Sequence, residues 1–142
     1  MNMETVVEMI RMDRVEWDLL TGILDDHPHH NLHGSGSPWT SRDVYAHLAR
    51  WISYSNNDME ACCAGREISP PIENIEEMNS GWHQEDSRMT LAEARQKAHD
   101  AFNRRILIIQ SIRPDRWNKD LEKIARYDGV GHLSAHRSYI NI

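Results

Sequence analysis

The sequence predicts an all-α protein, a four-helix bundle with one long crossover between its second and third helices. Three observations lead there. Apolar residues recur at helical spacing in four stretches, no stretch alternates with the period of a strand, and the longest interruption contains two prolines and two glycines. With 142 residues, 39% of them hydrophobic and 27% charged, residues 1–142 read as one domain able to bury a core.

In the first stretch, Val6, Ile10, Asp13, Trp17, Leu20 and Leu24 trace one face of a helix over about residues 4–24. Asp13 interrupts that apolar seam. A carboxylate there either tilts out to solvent, the favoured reading, or faces a partner inside the bundle, because burying it unpaired is costly. The loop "DDHPHHNLHGSGSPW" follows, rich in Gly, Pro, Asp, Asn and His. Thr40 then caps a second helix over 41–63, with Asp43 as a weak capping-box partner and Val44, His47, Leu48, Trp51, Ser55, Met59 and Cys62 on one broad face.

The crossover "GREISPPIENIEEMNSGWHQEDSRM" has room for a short helix in "IENIEEMNSGW". Thr90 and Glu93 make a full capping box for a third helix over 91–112, carried by Leu91, Ala94, Ala98, Phe102, Ile106, Ile109 and Ile112 and stopped by Pro114. After "RPDRWNKD" a fourth, shorter helix runs through Ile124, His132, His136 and Ile140, weakened by Gly129 and Gly131.

Charge and motifs narrow the function classes. Net charge is −6 and the basic residues are scattered, which disfavours nucleic acid and anionic membranes as partners. The start "MNMETVVEMI" is unlike a signal peptide and the longest aliphatic run is "ILII" at 106–109, so a cytoplasmic location is expected. Cys62 and Cys63 are adjacent, where a disulfide is strained, and read as reduced packing residues. Nucleophile elbows, phosphate-binding glycine loops and CxxC pairs are absent, which sets aside Ser-His-Asp hydrolases, nucleotide enzymes and zinc ribbons.

Of the nine histidines, seven fall into two groups. His27, His29, His30 and His33 crowd the first loop, where nothing orders their rings, and read as a polar loop that binds metal adventitiously. His47, His132 and His136 lie on inward helix faces. His132 and His136, four apart, can both reach one ion at roughly 2.0–2.1 Å, and His47 is the natural third donor from another helix. Three nitrogens with an open position suit catalytic zinc. The alternative is a set of hydrogen-bonded core histidines, since an HxxxH pair alone is a weak motif.

The segments "WTSRDVYAHLARW" (39–51), "EEMNSGW" (76–82) and "YDGVGHLSAHRSYI" (127–140) resemble the DinB superfamily, specifically its ClbS/DfsB branch, over nearly the whole chain. Trp39, His47, Leu48, Trp51, Asn79, His132 and His136 match the family pattern. The resemblance implies an up-down-down-up four-helix bundle, commonly a homodimer, with His47, His132 and His136 holding zinc or nickel. Relatives include bacillithiol S-transferases, mycothiol-dependent isomerases and resistance proteins that open a strained cyclopropane electrophile. The chain departs from the pattern at Leu133, where an aromatic is usual, in its His-rich loop, and in stopping at Ile142, which leaves the fourth helix open to fraying.

Two functions from different classes follow, because fold alone does not settle function. The first is a metal-dependent enzyme, of hydrolase or thiol-transferase type, that detoxifies a small electrophilic metabolite. Trp51, Asn79, Trp82 and Tyr127 would surround its substrate, with Asp13 and Glu77 as weak general-base candidates. The second is a metal-free protein that sequesters a hydrophobic toxin or metabolite. A third reading makes the helices mainly a dimer interface, with structural histidines.

Overall fold

The computed structural model of the protein describes residues 1–32 and 39–140. Among them the chain is all-helical, with six α-helices, one 3₁₀ turn at Pro114–Arg116 and no strand. Helix α1 spans Met3–Asp26 and α2 spans Ser41–Cys63. Next come α3, Ile75–Glu85, and α4, Leu91–Ser111. The chain closes with α5, Lys119–Tyr127, and α6, Val130–Tyr139.

Side chains at the starts explain most of the boundaries. Asn2, Asn74 and Asn118 each accept the backbone N–H three residues on, at 2.8, 3.0 and 2.8 Å, so α1, α3 and α5 all begin on an asparagine cap. The predicted pairs also close. Asp43 accepts the Thr40 backbone N–H at 2.9 Å, while Thr90 Oγ1 accepts the Glu93 N–H at 3.1 Å and donates to Glu93 Oε1.

Helix α2 is the organising element. It packs along α4 more extensively than any other two helices meet, and α3 and α5 also lie on it, while α6 rests mainly on α1. Every residue of the predicted α1 seam is buried, Asp13 included. Trp17 stacks on Phe102 with centroids 4.4 Å apart and planes within 2°, tying α1 to α4. No helix among the described residues is long and apolar enough to cross a membrane.

Three expectations need correction. The predicted fourth helix is two helices, α5 and α6, parted at Asp128–Gly129. With α3 ordered inside the crossover, the count becomes six instead of four. Asp13 is fully buried and paired with Arg105 at 2.8 Å, so the partnered reading replaces the solvated one. Of the cysteines, Cys62 is half-buried against the core, but Cys63 is exposed. Partial desolvation and the neighbouring Cys62 still push the Cys63 thiol above its ordinary range, away from the reactive thiolate.

A second polar knot ties α1, α2 and α4. Buried Tyr45 donates to Asp25 Oδ1 at 2.6 Å, and Arg95 reaches both Asp25 oxygens at 3.1 Å. Desolvation and the Asp25 charge push the Tyr45 phenol well up. Beside it, Trp17 Nε1 donates to His99 Nδ1 at 3.3 Å, and burial, then the Arg95 charge, pulls His99 below 6.5. The unfolded chain therefore takes up a proton at His99 at a higher pH than the folded protein does. Stability held above about pH 6.5 is lost as pH falls from there through the lower folded value. His99→Gln should shrink the drop in urea midpoint between pH 7.5 and pH 5.5, compared with the wild type in the same chelator.

Candidate metal centre

His47 comes from the second turn of α2 and His132 and His136 from α6, two helices far apart in sequence. One nitrogen from each lies within 4.8 Å of the others, and this is the one cluster of three or more such donors among the described residues. His132 Nε2 and His136 Nε2 are 2.9 Å apart, a hydrogen-bond distance. The His47 ring sits 4.8 Å from that of His136 and 6.2 Å from that of His132, centroid to centroid. Three nitrogens bound at about 2.0–2.1 Å to one tetrahedral ion stand roughly 3.3 Å apart. Ring rotations of the order of an ångström bring the set to that spacing.

A carboxylate stands behind the triad. Asp128, fully buried at the end of α5, places Oδ1 2.7 Å from His132 Nδ1 and accepts the Ser55 hydroxyl on Oδ2. The Asp128–His132 approach is close but badly angled, and neither Oδ1 nor Nδ1 has a formed hydrogen bond. With an ion on its Nε2, His132 would keep Nδ1–H for Asp128, the carboxylate–histidine arrangement that fixes tautomer and strengthens the ligand. The three imidazoles could hold a metal ion.

The predicted substrate residues also converge, around Trp51. Its Nε1–H donates to Asn79 Oδ1 at 2.7 Å, Trp82 meets it edge-on at 5.0 Å, and Tyr127 lies tilted at 6.4 Å. His47 is 6.5 Å from the same indole. Trp51 is buried, Asn79 and Trp82 are half-buried and Tyr127 is exposed. His47, Asn79 and Trp82 border one narrow crevice. Trp51 and Tyr127 border a larger apolar groove of about 660 Å³, walled by Tyr54, Ile68, Pro70 and Ile124. No family model, curated protein or solved structure matches the chain.

The general-base candidates do not assemble with it. Both Asp13 oxygens are engaged, one by Arg105 and one by the Val130 N–H, and Glu77 is exposed on α3. In the first loop His27 and His30 approach each other at 3.2 Å and His29 is exposed, while His33 lies outside the described residues.

Several contributors went unpredicted. Asp128 stands four residues before His132, and on the continuous fourth helix the sequence predicts, that interval was a signal that could have flagged it. His83 could not be found from spacing, because α3 brings it across to Asp43 Oδ1 at 2.9 Å and parallel to Trp39 at 5.3 Å. Trp39 in turn meets His47 edge-on at 5.3 Å, so the crevice wall runs from the His83–Asp43 pair through an indole to a candidate ligand.

Replacing Asp128 by Asn keeps the shape and the Ser55 contact but removes the charge behind His132. Zinc affinity, measured by competition with a chromophoric chelator, should fall about 10- to 100-fold. An unchanged affinity would remove Asp128 from the site.

Proposed function

We propose that this protein is a divalent-metal-dependent enzyme, a DinB-like four-helix bundle of the ClbS/DfsB type, acting on a small electrophilic metabolite in detoxification or resistance. The convergence of His47, His132 and His136 from α2 and α6 supports this reading more than any other observation. An ion of zinc or nickel bound there supplies Lewis acidity and lowers the pKa of a water or small thiol toward neutrality.

The chain's own residues do the rest. Asp128, steadied by Ser55, orients His132 and balances the positive charge of a loaded site. Trp51 and Trp82 exclude water from one side and offer apolar faces to the substrate. Asn79, its Oδ1 already engaged by Trp51, presents carboxamide N–H groups to a polar substrate atom. Hydrolysis and thiol transfer are both consistent with such a site. The resemblance adds a homodimer to the proposal.

The groove of about 660 Å³ favours a second reading, metal-free sequestration of an apolar small molecule, because its size suits a drug-sized ligand and its walls are largely apolar and aromatic. Metal analysis of untagged protein separates the two. The enzymatic reading expects about one zinc or nickel per chain, lost in His132→Ala and His136→Ala, and electrophile-processing activity that chelation abolishes and metal restores. Protection that survives chelation and both substitutions would favour sequestration.

A further inference from the structure

Helix α6 carries two of the three imidazoles, and α1 grips it at both ends. At its start, Asp13 Oδ1 accepts the Val130 N–H at 2.8 Å, so a side chain of α1 caps α6 across the core. Asp13 Oδ2 is held by Arg105 Nη2 of α4, also at 2.8 Å, and neither side chain is exposed to solvent. At its far end, Arg137 makes two 2.9 Å bonds to Glu16, one turn along α1 from Asp13. His132 and His136 lie between these grips.

The close approach at the start requires a glycine. A Cβ on Gly129 would stand 2.8 Å from Arg105 Nη2 and 2.9 Å from Asp13 Oδ1. The ion pair therefore reaches the backbone where α5 gives way to α6, and Asp128, the carboxylate behind His132, is the residue immediately before. A buried ion pair is a poor way to add stability, since apolar residues of similar volume do as well or better. Arg105 even leaves Nε and Nη1 without hydrogen-bond partners. An apolar pair, however, has no acceptor for the Val130 N–H.

Resting on the metal reading above, we infer that Asp13, with Arg105 and Glu16, is a positioning residue of the metal centre: it fixes the start and rotation of α6 and so sets His132 and His136 against His47. None of the three touches the ion. They act through the helix they hold, and the paired charges serve geometry more than stability.

The test uses the full chain, zinc alone and cobalt as a spectroscopic substitute. D13L/R105M removes both charges together, leaving no buried charge unpaired. Its melting temperature should stay within about 5 °C of wild type. Its zinc affinity should fall about tenfold or more, its cobalt absorption should change, and α6 amides should exchange faster in the metal-free protein. Glu16→Ala leaves the core intact and should shift the same readouts the same way by less, which decides the matter if the double variant does not fold. Ile109→Val, which loosens the core on α4, should lower the melting temperature and leave zinc affinity unchanged. Wild-type zinc affinity and cobalt spectrum in the charge variants overturn the inference. A wild-type chain that binds no zinc overturns the metal reading instead, and α6 exchange in the metal-free variants then decides the positioning, with unchanged rates rejecting it.

Discussion

The buried contact between Asp13 and Arg105 closes on the backbone at Gly129 and Val130, and α6, which carries His132 and His136, starts at that closure. Three helices contribute to it: α1 supplies the carboxylate, α4 the guanidinium, and the α5–α6 junction the N–H. A charge pair without access to water has few tolerable arrangements, because each atom left without a partner keeps its desolvation cost. That narrowness suits a junction that must start a helix at one residue and not the next.

From the junction outward the site is a sequence of dependencies. Asp128, the last residue before it, stands behind His132 and is itself held by Ser55 of α2. The same α2 brings His47 to the triad and Trp51 to the aromatic group. Helix α3 closes that group from outside through Asn79 and Trp82, without a buried residue of its own. The centre is thus built on rigid helices, with an exposed crossover helix over it. That division lets a scaffold keep ligand geometry while its substrate contacts vary.

The aromatic group serves both functional readings equally, and the triad separates them. The narrow crevice is bordered by His47, Asn79 and Trp82, and the larger groove by Trp51 and Tyr127, reaching Ile68 and Pro70. An enzyme needs the crevice side, where a ligand nitrogen is within reach, whereas a sequestering protein needs only the groove.

Much of this was readable from spacing. The long amphipathic helices followed from the 3.6-residue period, their starts from Thr40 and Thr90, and the candidate ligands from two histidines one turn apart plus one on an inward face. Local rules suffice there, because a cap or an i,i+4 pair depends only on near neighbours. Other features depended on contacts made 40 to 117 residues apart in the chain. Whether Asp13 faced water or a partner turned on Arg105 and Val130. The break at Gly129 turned on what fills the space above it, and the roles of Asp128 and His83 on which helix lay opposite. Composition and periodicity could establish an all-helical chain with an inward histidine pair. Only the packed structure, by deciding which buried charge meets which backbone group, could bring His47 to that pair.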